Sequence, residues 1–437
     1  MTLRYLKIGA LAAAVLAAPW ADTGAVAQDG VFIPTLVYRT GPYAPNGIPS
    51  ANGFKDYFSL LNERDGGIEG VKILHEECET QYDQKQGVEC YERLKSKNPV
   101  IINPFSTAIT YALIPKAPVD KIPILSMGYG RTDAAVGSVH AWVFVTPTGY
   151  WSQASAKIRY IASREGGLDK LKGKKIANIY HNSAYGKETI PVLDVLAKKF
   201  GFEVEHLAVD HPGQEQKSTW LKIRQSSPDW ILFRGWGVMN QVGVKEAAAI
   251  GFKMDRMIGV WWSGTETDVV PAGDGAKGYI SATFHLPGNN FKIHEELKKH
   301  VYDKGKGATT WDKAGEVLYN RTLVNAMITV EAVRNAIKKH GKKVTGEHVR
   351  DGMEALDLTQ ARLDQLGFGK MMRPIKNTCN DHEGNGPVIF QQWDGKEWKI
   401  VSDWIEPMRE VVRPMMEASA RKFAEENKVT PRQCPSS

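Results

Sequence analysis

The sequence lacks the short motifs that mark the common enzyme classes. It contains no G-x-S-x-G nucleophile turn, no H-E-x-x-H zinc helix and no Walker A phosphate loop. One G-x-G-x-x-G match, residues 273–278, leads into a predicted strand, whereas a dinucleotide site needs a helix after the glycines. His294 and His300 are six residues apart, which does not suit two zinc ligands on one helical face. We therefore expect no enzyme, no cofactor and no metal site.

Cysteine is scarce, and no two cysteines have the C-x-x-C spacing of a zinc or redox site. The four cysteines suit an oxidising compartment, where they form disulfides. Cys78 ends a predicted strand and Cys90 lies in the following helix, so we expect these two to pair. Cys379 and Cys434 would then tie the tail to the body of the protein. Four cysteines allow three pairings, so the other two stay open.

The sequence has no basic run with interleaved aromatic residues, although its net charge is +7. Acidic and basic residues are interspersed, and the composition of 42% hydrophobic and 24% charged residues is that of an ordinary globular protein. This pattern argues against a nucleic-acid partner. The length of 437 residues suggests two or three domains.

No apolar run reaches the length of a membrane-spanning helix. Residues 8–18 are apolar but too short for a permanent anchor, and they follow the basic residues Arg4 and Lys7. The tripeptide at residues 25–27, Ala-Val-Ala, fits the small-x-small rule for cleavage, so residues 1–27 are predicted to be a signal peptide. No cysteine stands at the cleavage site, which argues against a lipid anchor. We expect an exported, soluble protein, periplasmic in a Gram-negative source.

Predicted strands and helices alternate along most of the chain. Residues 31–38 read as a strand, residues 39–50 as a loop rich in glycine and proline, and residues 51–62 as a helix. A second series starts after residue 151, with a predicted strand at residues 175–180. This spacing is typical of βαβ units and predicts an α/β fold with two parallel sheets.

The stretch from residue 100 to residue 132 shows where a ligand would bind. It reads as a strand (100–102), a loop, a helix (108–114), a second strand (122–125) and a second loop (126–130). Both loops leave the carboxyl ends of strands, where open parallel sheets place their ligand crevice. Ser106 or Thr107 can cap the helix and leave N–H groups facing an anion. A capping role alone would explain Ser106 equally well.

Similar loops rich in aromatic and small residues follow other predicted strands. One such aromatic is more often part of the core or the rim than a ligand contact, but this many at equivalent strand ends indicate a binding cleft for a small molecule. The candidates from these loops are Tyr43, Phe105, Ser106, Thr107, Ser126, Met127, Gly128, Tyr129, Tyr150, Trp151, Tyr185, Trp236, Trp261 and Trp262.

The chain resembles the leucine/isoleucine/valine-type binding proteins of bacterial ABC transporters. Short matching motifs occur in the same order along almost the whole mature chain, at residues 41–47, 62–70, 82–86, 104–107, 185–186 and 247–252. The resemblance implies a type I periplasmic binding fold, with two α/β lobes joined by three crossovers and a ligand trapped by hinge closure. It also implies a monomer that docks transiently on the permease subunits of the transporter.

The resemblance places the crossovers near Thr146, His285 and Met371. The N-terminal lobe would then take residues 29–146 with 285–371. The C-terminal lobe would take residues 147–284 with 372–437.

The resemblance also suggests roles for site residues. The ligand carboxylate would lie at Ser106, Thr107 and the loop of residues 126–130, with Trp236 covering the ligand. The acidic residue that holds the ligand ammonium in amino-acid binders is matched here by Ser263. Because a buried ammonium without a charge partner costs several kcal/mol, this difference favours a flat ligand without an α-amino group, such as an aromatic or arylpropenoic acid.

Three alternatives stay open at this point. The ligand is a branched-chain amino acid or an amide if Glu266, three residues after Ser263, reaches the ammonium. Arg234 pairs with the ligand carboxylate or a ring substituent, or it faces solvent. The protein serves as a ligand-sensing subunit for a receptor rather than in transport.

Overall fold

The structure is a computed structural model in which Met1, residues 30–384 and residues 386–435 are described. The predicted signal peptide, apart from Met1, lies outside the described residues. The strands are β1 (Val31–Phe32), β2 (Thr35–Val37), β3 (Ile73–Leu74), β4 (Glu77–Glu79), β5 (Ile124–Leu125), β6 (Val143–Phe144), β7 (Lys175–His181), β8 (Glu203–Val209), β9 (Trp230–Arg234), β10 (Met257–Gly259), β11 (Ile280–Thr283), β12 (Asp357–Leu358), β13 (Ile375–Lys376), β14 (Ile389–Trp393) and β15 (Trp398–Ile400).

Helices follow most of these strands. They are α1 (Ala44–Asp65), α2 (Gln84–Lys95), α3 (Thr107–Leu113), α4 (Ala117–Asp120), α5 (Tyr150–Glu165), α6 (Ala184–Lys187), α7 (Ile190–Phe200), α8 (Lys217–Ser226), α9 (Val238–Ala249), α10 (Glu266–Val269), α11 (Lys292–Leu297), α12 (Val317–His340), α13 (Gly346–Glu354), α14 (Gln360–Leu366) and α15 (Arg409–Asn427).

The strands before residue 146 form short parallel pairs that isolated bridges connect. Strands β1 and β2 pair with β3 and β4, and β5 pairs with β6, all in parallel. The predicted strand at residues 100–102 appears only as bridges from Asn103 to Thr35 and from Ile102 to Ile124. Pro123, which has no N–H to donate, adjoins this position and limits the regular ladder.

Seven of the strands after residue 146 form one sheet in the order β15-β14-β11-β10-β9-β7-β8, whereas β12 and β13 form a separate antiparallel pair. Strands β7 to β11 run in parallel, and the β14–β15 hairpin adds two antiparallel strands at one edge. The predicted α/β class with parallel sheets is confirmed. Helix α15 packs against the helical turn at residues 132–135 and against α5.

Helix α1 is longer than the sequence pattern suggested. It begins at Ala44, within the segment that was predicted to be a loop. Pro45 lies in its first turn, where the missing N–H has no intrahelical partner to lose, so proline there does not prevent a helix. The prediction of a loop over residues 39–50 was therefore wrong for its second half.

Both predicted disulfides are present. Cys78 in β4 bonds to Cys90 in α2, and Cys379 bonds to Cys434 beyond the end of α15. Among the described residues, no helix is both long and apolar enough to cross a membrane.

Candidate ligand-binding site

A small cavity lies where loops that follow strands before residue 146 meet loops that follow strands of the seven-stranded sheet. Its empty volume is about 240 Å³. Eight of its ten wall residues are aromatic and none is charged. The wall residues are Tyr38, Tyr82, Phe105, Ser106, Thr107, Tyr129, Tyr150, Tyr185, Trp236 and Trp262.

One side of the cavity carries hydroxyl groups, and we call Tyr82, Ser106, Thr107 and Tyr150 the hydroxyl cluster. Ser106 is the N-cap of α3, as predicted, and its Oγ accepts the backbone N–H of Ile109 at 3.5 Å. Ser106 also lines the cavity, so its role as the N-cap of α3 does not exclude a contact with a ligand. Burial raises the pKa of Tyr82 and of Tyr150, and the hydroxyls of Ser106 and Thr107 oppose that rise.

The loop that carries Ser106 and Thr107 is held in an uncommon conformation. Phe105 has a φ of 54°, in the left-handed region that residues with a side chain rarely adopt. Its N–H donates to the Tyr129 hydroxyl at 2.7 Å, and that hydroxyl donates to the carbonyl of Leu125 at 3.3 Å. Tyr129 therefore fixes one loop against the next and keeps the hydroxyl cluster in place.

The indole side of the cavity, which consists of Tyr38, Trp236 and Trp262, has free donors. Trp262 Nε1 is buried and has no hydrogen-bond partner among the described residues. Tyr38 Oη and Trp236 Nε1 lack a partner of good geometry there, although Trp236 lies close enough to oppose the rise that burial causes in the pKa of Tyr38. The rings pack edge to face, with centroids 6.0 Å apart for Tyr38 and Trp236 and 5.6 Å apart for the two indoles. A buried donor without a partner costs about 1–3 kcal/mol, so this side of the cavity favours a ligand with hydrogen-bond acceptors.

Several candidates from the sequence lie behind the wall instead of on it. The Tyr43 hydroxyl lies 2.9 Å from His181 Nε2, and the Ser126 and Thr110 hydroxyls are 2.8 Å apart. Trp151 Nε1 donates to the carbonyl of Glu188 at 2.7 Å. Met127 and Gly128 are also buried without lining the cavity.

Neighbouring residues with the same side chain can lie differently. Trp262 lines the cavity, whereas Trp261 Nε1 donates to the carbonyl of Gly128 at 2.9 Å. The N–H of Val238 likewise donates to the carbonyl of Pro42 at 3.0 Å. Such contacts join the chain before residue 146 to the chain after it, so the cavity is closed over in this structure.

Arg234 lies behind the cavity wall and does not face solvent. Its Nε and Nη2 donate to the carbonyl of Tyr185 at 3.0 and 2.8 Å. Its guanidinium stacks on the ring of Tyr150 at 3.8 Å and lies 4.6 Å from the ring of Tyr185. Among the described residues, no carboxylate forms a salt bridge with it.

The two residues considered for an ammonium group also point elsewhere. The Ser263 hydroxyl donates to the carbonyl of Gly235 at 2.6 Å. Glu266 Oε2 accepts the N–H of Val317 at 3.0 Å, at the start of α12, and the hydroxyl of Thr265 at 2.9 Å. Neither side chain lines the cavity.

Asp268 is a buried carboxylate that was not predicted from the sequence, and it already has hydrogen-bond partners in the protein. Asp268 accepts hydrogen bonds from Asn46 at 3.2 Å, from Asn240 at 3.0 Å and from the N–H of Thr265 at 3.1 Å. Burial raises its pKa to about 7, against the effect of these donors. Asp268 joins α1 to α9 and does not line the cavity.

Three further residues at or next to the wall, Tyr38, Tyr82 and Arg321, were not among the site residues predicted from the sequence. Tyr38 ends the first predicted strand, and ligand contacts were expected at the ends of strands. Tyr82 belongs to a motif that matches the related family. Both residues could therefore have been found from the sequence. Arg321 is fully buried in α12, and its guanidinium lies 5.2 Å from the ring of Trp262. It donates to His285 Nε2 at 3.1 Å and to the Thr283 hydroxyl at 2.9 Å.

Comparison with known proteins identifies the family. A family model described as periplasmic binding protein matches residues 30–397. A solved structure described as an ABC transporter permease from the Pseudomonas fluorescens group is 44% identical, with a TM-score of 0.86, and the match covers 93% of this chain and 99% of that one. No curated protein sequence matches the chain.

More distant solved structures share the fold. A branched-chain amino acid ABC transporter protein from Thermus thermophilus with bound valine is 20% identical, with a TM-score of 0.75 and coverage of 88% of this chain and 99% of that one. A solute binding protein of an ABC transporter from R. palustris in complex with benzoate is 15% identical, with a TM-score of 0.67 and coverage of 86% and 97%. The chain therefore belongs to the periplasmic binding protein family, as a substrate-binding protein of an ABC transporter with the type I fold of the leucine-binding type, and it is a ligand binder and not an enzyme.

Proposed function

We propose that this protein captures a small aromatic or arylpropenoic carboxylate and delivers it to an ABC importer. The observation that carries the proposal is the cavity wall, in which eight of ten residues are aromatic and the other two are hydroxyl residues. Aromatic walls with a few placed polar groups are typical of sites for flat, mostly apolar ligands.

The size of the cavity limits the ligand. Its empty space of about 240 Å³ includes space that is open to solvent, so the enclosed room is smaller than that figure. Even a ligand with one ring and a short acidic chain therefore requires wall side chains to move when it binds. A larger ligand would require the wall to move outward.

The charge around the cavity favours an anion over a zwitterion. Arg234 is buried next to the wall, and no carboxylate of the described residues lines the cavity to receive an ammonium group. An amino acid would have to bury its ammonium without a charge partner. Two structurally similar solute binding proteins from R. palustris hold benzoate and 4-hydroxybenzoate, which agrees with this reading.

An aromatic cage can also bind a quaternary ammonium ion through cation–π contacts. Here the guanidinium of Arg234 already stacks on the rings of Tyr150 and Tyr185, and that of Arg321 lies over Trp262. These positive charges would repel a cationic ligand and occupy faces that it would need. The arrangement therefore disfavours cations.

The family membership suggests how capture and delivery occur. In this proposal, residues 29–146 with 285–371 form one lobe and residues 147–284 with 372–437 form the other, with a hinge that closes on the ligand. The closed form docks on the permease as a monomer in the periplasm, after removal of residues 1–27 and without a lipid anchor. A role as a sensing subunit would use the same closure.

A thermal-shift screen of the chain without residues 1–27 tests the proposal. A ligand at 100 times its dissociation constant adds about 2.7 kcal/mol of stability. We expect a clear shift with hydroxylated benzoic or cinnamic acids and none with leucine or valine. A shift with leucine or valine alone would contradict the proposal.

A further inference from the structure

The environment of Arg234 is unusual because a buried positive charge normally has a negative partner. Its side chain is 2% exposed, and its hydrogen bonds go to a neutral backbone carbonyl. Two tyrosine rings cover its planar group. A charge held in this way is stabilised only in part, and it attracts any anion that enters the neighbouring cavity.

Arg321 provides a comparison within the same site. It is also buried against an aromatic wall residue, but Tyr150 and the carboxylates of Glu266 and Asp268 lie near enough to act on its charge. Burial nevertheless lowers the pKa of Arg321, to about 9. Arg234 has no such carboxylate in contact among the described residues, and its charge therefore remains the less balanced of the two.

The wall between Arg234 and the cavity can transmit its charge. The guanidinium lies 3.8 Å from the ring centre of Tyr150, and the hydroxyl of that ring belongs to the hydroxyl cluster with Thr107. Arg234 opposes the rise that burial causes in the pKa of Tyr150, so the positive charge acts at this phenol. A phenol next to a cation is a stronger hydrogen-bond donor to a carboxylate.

We infer that Arg234 makes the site selective for anions, acting through Tyr150 as a positioning residue whose counter-ion is the ligand carboxylate. The inference rests on the proposed function, since it assumes an aromatic acid as the ligand. The guanidinium need not touch the ligand. Its charge favours the ionised acid over a neutral molecule of the same shape.

A merely structural role for Arg234 makes a different prediction. If the guanidinium only supports the rings of Tyr150 and Tyr185, its loss should weaken all aromatic ligands by the same factor. If its charge matters, its loss should weaken the acid and leave the matching amide almost unchanged. The ratio of the two affinities separates these roles.

The experiment is isothermal titration calorimetry with 4-hydroxybenzoate and 4-hydroxybenzamide on the wild-type chain and on R234M and R234K. We expect the wild type to bind the acid more tightly than the amide. In R234M the ratio of the two affinities should fall at least about 10-fold, because a buried charge pair is worth several-fold more than one in water. R234K keeps the charge and should retain most of the preference.

R256M is the matched control. Arg256 also lies over an aromatic ring of the second sheet, 4.6 Å from Trp230, but it pairs with Glu165 outside the cavity. Its loss should leave the ratio of affinities unchanged. Equal weakening of acid and amide in R234M would overturn the inference while leaving an aromatic site intact. Binding of neither compound by the wild type would overturn the proposed function and the inference with it.

Discussion

The hydroxyl of Tyr150 offers the most direct test of the proposed carboxylate position. The substitution Y150F removes this one oxygen and keeps the ring. The ring stacks against Trp261 with centroids 5.9 Å apart, and Arg234 covers it at 3.8 Å. Phenylalanine can keep both contacts, so the shape of the cavity should be retained.

The expected size of the effect follows from the kind of bond that is lost. A hydrogen bond to a charged group is worth about 1.5–3 kcal/mol, whereas a bond between neutral groups is worth about 1 kcal/mol. If Tyr150 donates to the ligand carboxylate, the dissociation constant should rise about 10- to 150-fold, since 1.4 kcal/mol is a factor of ten. The free protein loses only the neutral contact with the hydroxyl of Thr107, so its stability should fall by about 1 kcal/mol or less.

Calorimetry with 4-hydroxybenzoate measures the affinity, and urea unfolding measures the stability of the free protein. Y160F is a suitable control because Tyr160 lies in the same helix, α5, and its ring stacks on Phe390 at 4.1 Å, away from the cavity. The control should bind like the wild type. If Y150F binds within about twofold of the wild type, the phenol does not hold a charged group and the position assigned to the carboxylate is wrong.

Three further changes test other parts of the structure. Replacing Cys379 and Cys434 by serine opens a loop with a sequence separation of 55 and should lower the free energy of unfolding by about 4 kcal/mol, measured in urea. W261F removes the hydrogen bond from the indole to the carbonyl of Gly128, which helps to close the cavity. Calorimetry should therefore show that the acid and the amide both bind more weakly, by the same factor. Burial raises the pKa of Asp268 from 3.8 to about 7, so the free energy of unfolding of the wild type relative to D268N should fall as the pH rises from 4 to 7, by at most about 1.4 kcal/mol per pH unit. Urea unfolding at several pH values measures this difference, and a constant difference would contradict the prediction.

The fold could be predicted from the sequence because its signals are local. Alternating strand and helix patterns at βαβ spacing indicated parallel sheets, and the spacing of Cys78 and Cys90 across one loop suggested their bond. The start of α1 was missed because proline and glycine were read as loop residues, whereas Pro45 is compatible with a first helical turn.

The site could be predicted only in part. Loops at strand ends indicate backbone positions, and the structure places three residues from such loops, Phe105, Tyr129 and Trp236, at one cavity. Such a position does not give the direction of each side chain, which is why Trp262 lines the cavity while Trp261 holds a neighbouring loop. These directions depend on contacts between segments that are more than 100 residues apart in the sequence.

The positions of the buried carboxylates near the cavity support the proposal that the ligand is an aromatic acid and not an α-amino acid. Glu266 satisfies an N–H at the first turn of α12, so moving it to a ligand would leave that donor without its partner. Asp268 receives three hydrogen bonds, two of them from asparagine side chains, and would lose them if it turned to an ammonium group. Either rearrangement would cost at least one buried hydrogen bond, about 1–3 kcal/mol, before any gain from the new ion pair. In the proposed complex, an aromatic acid would leave both carboxylates in place, because its own carboxylate would meet hydroxyl donors and a nearby guanidinium that lacks a negative partner among the described residues.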